Sequence, residues 1–153
     1  MIEKRLVPFE MKHLGMIDLR EIDRVMIEHW GWGYFNRSLP ATIDHPGAAV
    51  YTCFVDDEPF FIGGLVMRWP GVGEFWGLGS RDIDRRPKLF IKLTKTILEQ
   101  LITHYSLHRA EAHCWAGYPH GLKWLQKLGF KIEGLRSSWS PNKHDYYQLA
   151  RLI

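Results

Sequence analysis

Cysteine is scarce in this sequence. Cys53 and Cys114 are too few for a disulfide framework, and neither stands at a metal-ligand spacing from a histidine. His113 and Cys114 are adjacent, and neighbours on a strand point to opposite faces, so they do not share a metal site. No metal centre is expected. No apolar run approaches the roughly 20 residues of a membrane span, and the N-terminus lacks the charged-then-apolar order of a signal peptide. A cytoplasmic protein without a membrane partner is therefore expected. Nucleophile elbows, phosphate P-loops and zinc signatures are missing. So are internal repeats, low-complexity tracts and linkers, and one domain over residues 1–153 accounts for the chain.

Charge is also modest. A net +3 argues against a dedicated nucleic-acid binder. Its distribution is uneven: between Arg81 and Lys95 lie six basic residues (Arg81, Arg85, Arg86, Lys88, Lys92, Lys95) against two acids (Asp82, Asp84), a local surplus of four. That segment outweighs the rest of the chain.

Hydrophobic periodicity supplies the elements. Ile2 to Pro8 reads as a strand, and Met11 to about His29 as one helix with Leu14, Ile17, Ile22, Val25 and Met26 inward. Two glycines among four aromatics make His29 to Asn36 a predicted loop, with room for a short helix before Pro46. Strands follow at about Ala48–Val55, Phe60–Trp69 and Val72–Gly79, joined by the polar turn Asp56-Asp57-Glu58-Pro59 and by Pro70-Gly71. Short turns imply an antiparallel meander. The helix from about Pro87 to Tyr105 buries Phe90, Leu93, Ile97 and Leu101, and the strand at about His108–Trp115 that follows it should be parallel to its predecessor.

The last third is the most specific. Pro119 opens a helix in which Gly121, Trp124, Leu125 and Leu128 share a face while Lys123 and Lys127 stand outside. Gly129 supplies its left-handed stop, and Phe130 begins a new strand. This order resembles the closing motif of the GNAT superfamily of N-acyltransferases: a strand, a helix ending in Gly-Phe, and a Glu-Gly-x-Arg strand. Glu133-Gly134-Leu135-Arg136 fits it, as does Asp145-Tyr146-Tyr147 before a terminal apolar strand. The resemblance covers Val72 to Ile153 well and the first half in outline.

The resemblance implies an α/β fold of the mixed α+β kind: one mixed, mostly antiparallel twisted sheet, with parallel strands four and five splaying apart and helices on both faces. It implies an acyl-CoA-dependent N-acyltransferase, with acetyl-CoA as co-substrate, an amine acceptor that is a small molecule or a protein, and a homodimer as one assembly. The pantetheine arm would lie between strands four and five, against Trp76, Gly77, Leu78 and Gly79 on one side and Cys114 on the other. A glycine bulge is the alternative reading of Gly77 and Gly79. The pyrophosphate would lie at the start of the next helix, near Arg81, Arg85, Arg86 and Lys88. Cations there oppose the helix dipole unless an anion compensates them, the alternative being a solvated basic face. The family's glycine-bearing signature is missing, because Ser80 to Leu89 contains no glycine.

Catalytic positions carry over unevenly. Glu74 takes the place of a general-base glutamate on strand four, or else is a solvated residue after Gly73. The tyrosine that commonly protonates the departing thiolate, four residues before the helix-ending glycine, is replaced by Leu125. Tyr118 stands where the family often has an asparagine and is the replacement acid, whereas His113 and His120 read as surface or pairing residues. Trp30, Trp32, Tyr34 and Phe35 occupy the segment that walls the acceptor site, or else belong to the core. A looser resemblance links the chain to small GNAT-like proteins of tailed bacteriophages, which would place it in host cytoplasm or virion. It keeps a second class open: a catalytically inactive scaffold acting as a phage virion or host-interacting binding protein.

Overall fold

The computed structural model describes residues 1–153. Seven strands form one sheet in the order β1-β2-β3-β4-β5-β7-β6. These are β1 (Lys4–Pro8), β2 (Ala48–Val55), β3 (Glu58–Trp69), β4 (Val72–Gly79), β5 (Arg109–Trp115), β6 (Lys131–Arg136) and β7 (Tyr146–Leu152). Helices α1 (Met11–Met16), α2 (Glu21–Trp30) and α3 (Trp32–Ile43) precede β2; α4 (Asp82–Arg85) and α5 (Pro87–His104) follow β4; α6 (Pro119–Lys127) follows β5. No helix is long and apolar enough to cross a membrane.

The meander forms as its turns dictate. Asp56 and Asp57 have φ of 50° and 64°, the left-handed pair that a tight hairpin needs, and β2, β3 and β4 pair antiparallel. The α5 crossover then makes β4 and β5 the sheet's parallel pair. Along β5 alternate residues are buried: Ala110, Ala112 and Cys114 join Leu98, Leu101, Leu125, Leu128 and Leu149 in the core beneath α5 and α6. A second core, containing Ile17, Leu19, Ile27, Leu39, Ile62 and Leu78, lies with α1, α2 and α3. The mixed sheet with helices on both faces is thus the architecture the resemblance implied.

The Leu128-Gly129-Phe130 stop is built as read. Gly129 has φ of 94°, its N–H donates to Gln126 O (3.0 Å) and the Phe130 N–H donates to Leu125 O (3.1 Å), the two bonds of a Schellman motif.

Two predicted elements need correction. The single helix over Met11–His29 is two, because Ile17 is extended and Leu19 bridges to Ser80 at the end of β4. The Arg20 N–H donates to Gly79 O (3.0 Å) and the Arg81 N–H to Asp18 O (2.9 Å), so long-range pairing replaces helical bonds there. The aromatic segment is helical: Gly31, at φ 82°, ends α2, and α3 begins at once with Trp32.

Candidate active site

Strands β4 and β5 part company early. Their pairing is confined to Val72–Glu74 against Arg109–Glu111, whereas β4 is paired with β3 as far as Gly79 and β5 with β7 as far as Trp115. Beyond Glu74 and Glu111 the facing backbone groups have no strand partner. A cleft of about 570 Å³ runs beside this gap between α5 and α6. Phe75, Gly77, Phe90, Cys114, Tyr118 and Trp124 are among its mainly apolar walls. Trp124 stacks on Phe90 with centroids 5.0 Å apart, and its indole N–H donates to Thr94 Oγ1 (3.3 Å), which fixes α6 against α5.

At one end of the cleft the Tyr118 hydroxyl accepts a hydrogen bond from Arg20 Nη1 (3.2 Å), and Arg20 Nε donates to Asp23 Oδ2 (2.7 Å). All three residues line the cleft. Burial raises the Tyr118 phenol, and the Arg20 charge works against that rise. Burial also raises the Asp23 carboxyl, which is 1% exposed, although Arg20 opposes it. The Cys114 thiol is pushed up to about 11 by burial, so it stays protonated at neutral pH and is no nucleophile.

Glu74 lies on the opposite face of β4 from Phe75 and Gly77. Arg68 pairs with one of its oxygens, and its Oε1 is 3.2 Å from His113 Nδ1. That approach lacks hydrogen-bond alignment, since neither His113 ring nitrogen has a hydrogen-bond partner. Trp139 stacks on the His113 ring at 4.2 Å. Burial first, then the charges of Arg136 and Arg68 against that of Glu111, pushes the His113 imidazole down to about 4. It is neutral at pH 7. His113 lines the cleft, and Glu74 does not.

The remaining sequence-selected residues separate. Trp76, Gly77 and Cys114 line the large cleft with Tyr118 and His120, while Leu78 is buried in the second core. Gly77 and Gly79 are occupied by the protein itself: added Cβ atoms would meet the Phe61 ring at 2.3 Å and Ile83 Cδ1 at 2.5 Å. Close approach therefore explains both glycines, but the approaching atoms are side chains. Arg81, Arg85 and Arg86 face a separate polar cleft of about 330 Å³, and Lys88 faces neither. Arg81 pairs with Asp18 (3.2 Å) and Arg86 with Asp56 (3.0 Å) and Asp82 (3.1 Å), leaving Arg85 and Lys88 without a carboxylate partner. The glycine-free segment after β4 forms the short helix α4, with Asp82 and Asp84 in its first turn.

None of Trp30, Trp32, Tyr34 and Phe35 lines the large cleft. Trp30 packs edge-on against Trp139 (5.2 Å) and beside Tyr34 (6.4 Å), and Phe35 joins the second core, whereas Trp32 and Tyr34 are exposed. No group of His, Cys, Asp or Glu side chains is arranged to hold a metal ion.

Sequence reasoning passed over Arg20, Asp23, Arg68 and Trp139 and set His113 aside. One signal was available for the first two. Arg20 and Asp23 stand three apart beside the apolar Ile22, Val25 and Met26, where an unpaired carboxylate would be costly.

The sequence matches no protein-family model and no curated protein. The fold matches many solved structures. A spermidine N-acetyltransferase from Vibrio cholerae, in complex with CoA and spermine, is 15% identical over 97% of this chain and 95% of that one, with a TM-score of 0.72. The ribosomal-protein-S18-alanine N-acetyltransferase from Escherichia coli is 13% identical over 99% and 94%, with a TM-score of 0.69. A candidate phosphinothricin N-acetyltransferase is 14% identical over 99% of each chain, with a TM-score of 0.77. These neighbours are GNAT N-acetyltransferases, and the fold of this chain is the GNAT fold.

Proposed function

We propose that the chain is an acyl-CoA-dependent N-acyltransferase that transfers an acyl group, acetyl in the simplest case, to an amine by direct attack. The observation that carries this is the unpaired stretch of β4 and β5 opening onto the apolar cleft between α5 and α6. Backbone amides and carbonyls released from a sheet need partners, and an amide-bearing arm supplies them in the manner of an added strand. The V. cholerae neighbour carries CoA and spermine, which supports an acyl-CoA and an amine as the substrates of this chain.

The residues present fit those substrates. Trp76, Gly77 and Cys114 flank the gap, and Tyr118 stands at the cleft with a proton to give to the leaving thiolate. Arg20 beside it stabilises the phenolate that remains. Protonated Cys114 favours direct attack over an acyl-cysteine intermediate. Glu74 supplies the carboxylate toward which the amine proton is drawn. Arg85 and Lys88, the two unpaired cations before and in the first turn of α5, serve the phosphates. One observation favours the silent-scaffold reading instead: Leu125 is buried in the core where the family's tyrosine would be.

Native mass spectrometry of the purified protein, followed by free-CoA release with a panel of amines, polyamines and peptides, tests the proposal. A retained or added CoA species and release with at least one amine are expected. Absence of both contradicts it; binding without release for any amine leaves the scaffold.

A further inference from the structure

Five buried side-chain polar atoms lack a hydrogen-bond partner, and three lie at one place: Trp76 Nε1 and both ring nitrogens of His113. Native interiors rarely leave such atoms alone, and each asks for a reason. The register gives their position. Glu74 faces Glu111 across the last paired level of β4 and β5, so two residues on, Trp76 and His113 face each other where the strands have separated. Both line the cleft. An indole donor and an imidazole thus converge on the mouth of the gap, from the face that also bears Glu74.

We propose that His113 is the proton acceptor of the transfer reaction and that Glu74 acts through it as a positioning residue. This rests on the acyltransferase reading and names the group that the reading leaves between Glu74 and the cleft. Glu74 Oε1 lies 3.2 Å from Nδ1 without hydrogen-bond alignment, and its negative charge at that side of the ring favours the tautomer with the proton on Nδ1, which leaves the Nε2 lone pair free. Trp139, stacked at 4.2 Å, holds the plane of the ring. The charged groups around it are Glu74 from β4, Arg68 from β3, Glu111 from β5 itself and Arg136 from β6. The ring is uncharged across the neutral range, so its Nε2 lone pair is available, and the Glu74 carboxylate faces the imidazolium that forms when it takes up a proton.

The amine nitrogen forms a bond to the thioester carbonyl carbon, and the carbonyl π electrons move to oxygen. His113 Nε2 takes the proton from the resulting ammonium, with the imidazolium facing the Glu74 carboxylate. The oxyanion's electron pair then re-forms the carbonyl as the carbon–sulfur bond breaks, and that bond's pair leaves with sulfur, which takes a proton from Tyr118. The imidazolium then releases its proton to solvent and the phenolate regains one. The balance is amide, free thiol and regenerated enzyme.

The test compares His113→Gln, Glu74→Gln and His113→Gly with the wild type, using acetyl-CoA and spermidine, n-butylamine and an alanine-initiated peptide as acceptors. His113→Gln is expected to lower turnover at least about a hundredfold while its affinity for acetyl-CoA stays within about twofold. Free imidazole is expected to restore activity to His113→Gly, which a merely structural role would not allow. Glu74→Gln is expected to lose less than His113→Gln. Nitrogen-15 NMR of labelled histidine provides a reading without turnover: the Nδ1–H tautomer is expected, shifting toward Nε2–H in Glu74→Gln.

Retained turnover in His113→Gln, lost acetyl-CoA binding in that variant, or the Nε2–H tautomer in the wild type would overturn the role of His113. Failure of the wild type to bind acetyl-CoA overturns the acyltransferase reading itself.

Discussion

Arg20 donates to the Tyr118 hydroxyl at 3.2 Å across 98 residues of sequence, tying the start of α2 to the start of α6 at the edge of the cleft. Arg20 is in turn held by Asp23, and their side chains are 13% and 1% exposed. Breaking a buried pair from one side leaves a stranded charge. Asp23→Ala is expected to destabilise by about 3 to 5 kcal/mol, and the double variant Arg20→Met with Asp23→Leu by distinctly less. Urea denaturation of the three proteins measures both. A double variant at least as unstable as Asp23→Ala would contradict the stranded charge as the cause of the loss.

The basic segment divides into paired and unpaired cations. Arg85→Ala is expected to weaken acetyl-CoA binding by at least about 1.5 kcal/mol, the lower range for a charge-assisted hydrogen bond, and high salt is expected to weaken binding by the wild type. Arg86→Ala, whose partners are Asp56 and Asp82, is expected to change binding less. Isothermal calorimetry at two salt concentrations checks this, and equal affinities in wild type and Arg85→Ala would remove Arg85 from the site.

Leu128 is 6% exposed in the core beneath α5 and α6, and Lys127 beside it is exposed. Leu128→Ala is expected to cost roughly 2 to 5 kcal/mol and Lys127→Ala little. Matching thermal melts for the two would contradict the packing of α6.

His113 links the site to acid stability. Its imidazole is pushed down to about 4 from an ordinary 6.5, so between those values the unfolded chain takes up a proton that the folded one refuses. That contribution is complete above pH 6.5 and disappears as pH falls toward 4, amounting to about 3 kcal/mol. In His113→Gln the stability lost across this window should shrink by about that amount. Part of the slope should remain, because burial and His144 also lower His29. Denaturation at pH 7 and pH 4.5 gives the comparison, and unchanged slopes would mean that His113 protonates freely in the folded protein.

What could be read in advance follows the range of the interactions. Leu128-Gly129-Phe130 and Asp56-Asp57 are local signals, and both turns form where the residues require them. The break between α1 and α2 was illegible because its cause lies sixty residues away, in the Leu19–Ser80 bridge. Trp30 to Phe35 misled because Gly31 alone carries the left-handed turn, while Gly33 is simply tolerated inside α3. Gly77 and Gly79 suggested a ligand, but the atoms against them belong to Phe61, Ile83 and Arg20. Glu74 was selected by its place on a strand; that His113 stands between it and the cleft depends on how far β4 and β5 diverge, which no local pattern records.

The central claim is that the gap between β4 and β5 receives the arm of an acyl-CoA. Amide hydrogen exchange with and without acetyl-CoA tests it most directly, because the amides within Phe75–Leu78 and Ala112–Cys114 that face the gap rather than β3 or β7 report the occupant themselves. The expected result is protection concentrated at those two stretches, with a smaller change at the start of α5. Protection confined to other parts of the sheet, or no change at saturating acetyl-CoA, would contradict the claim.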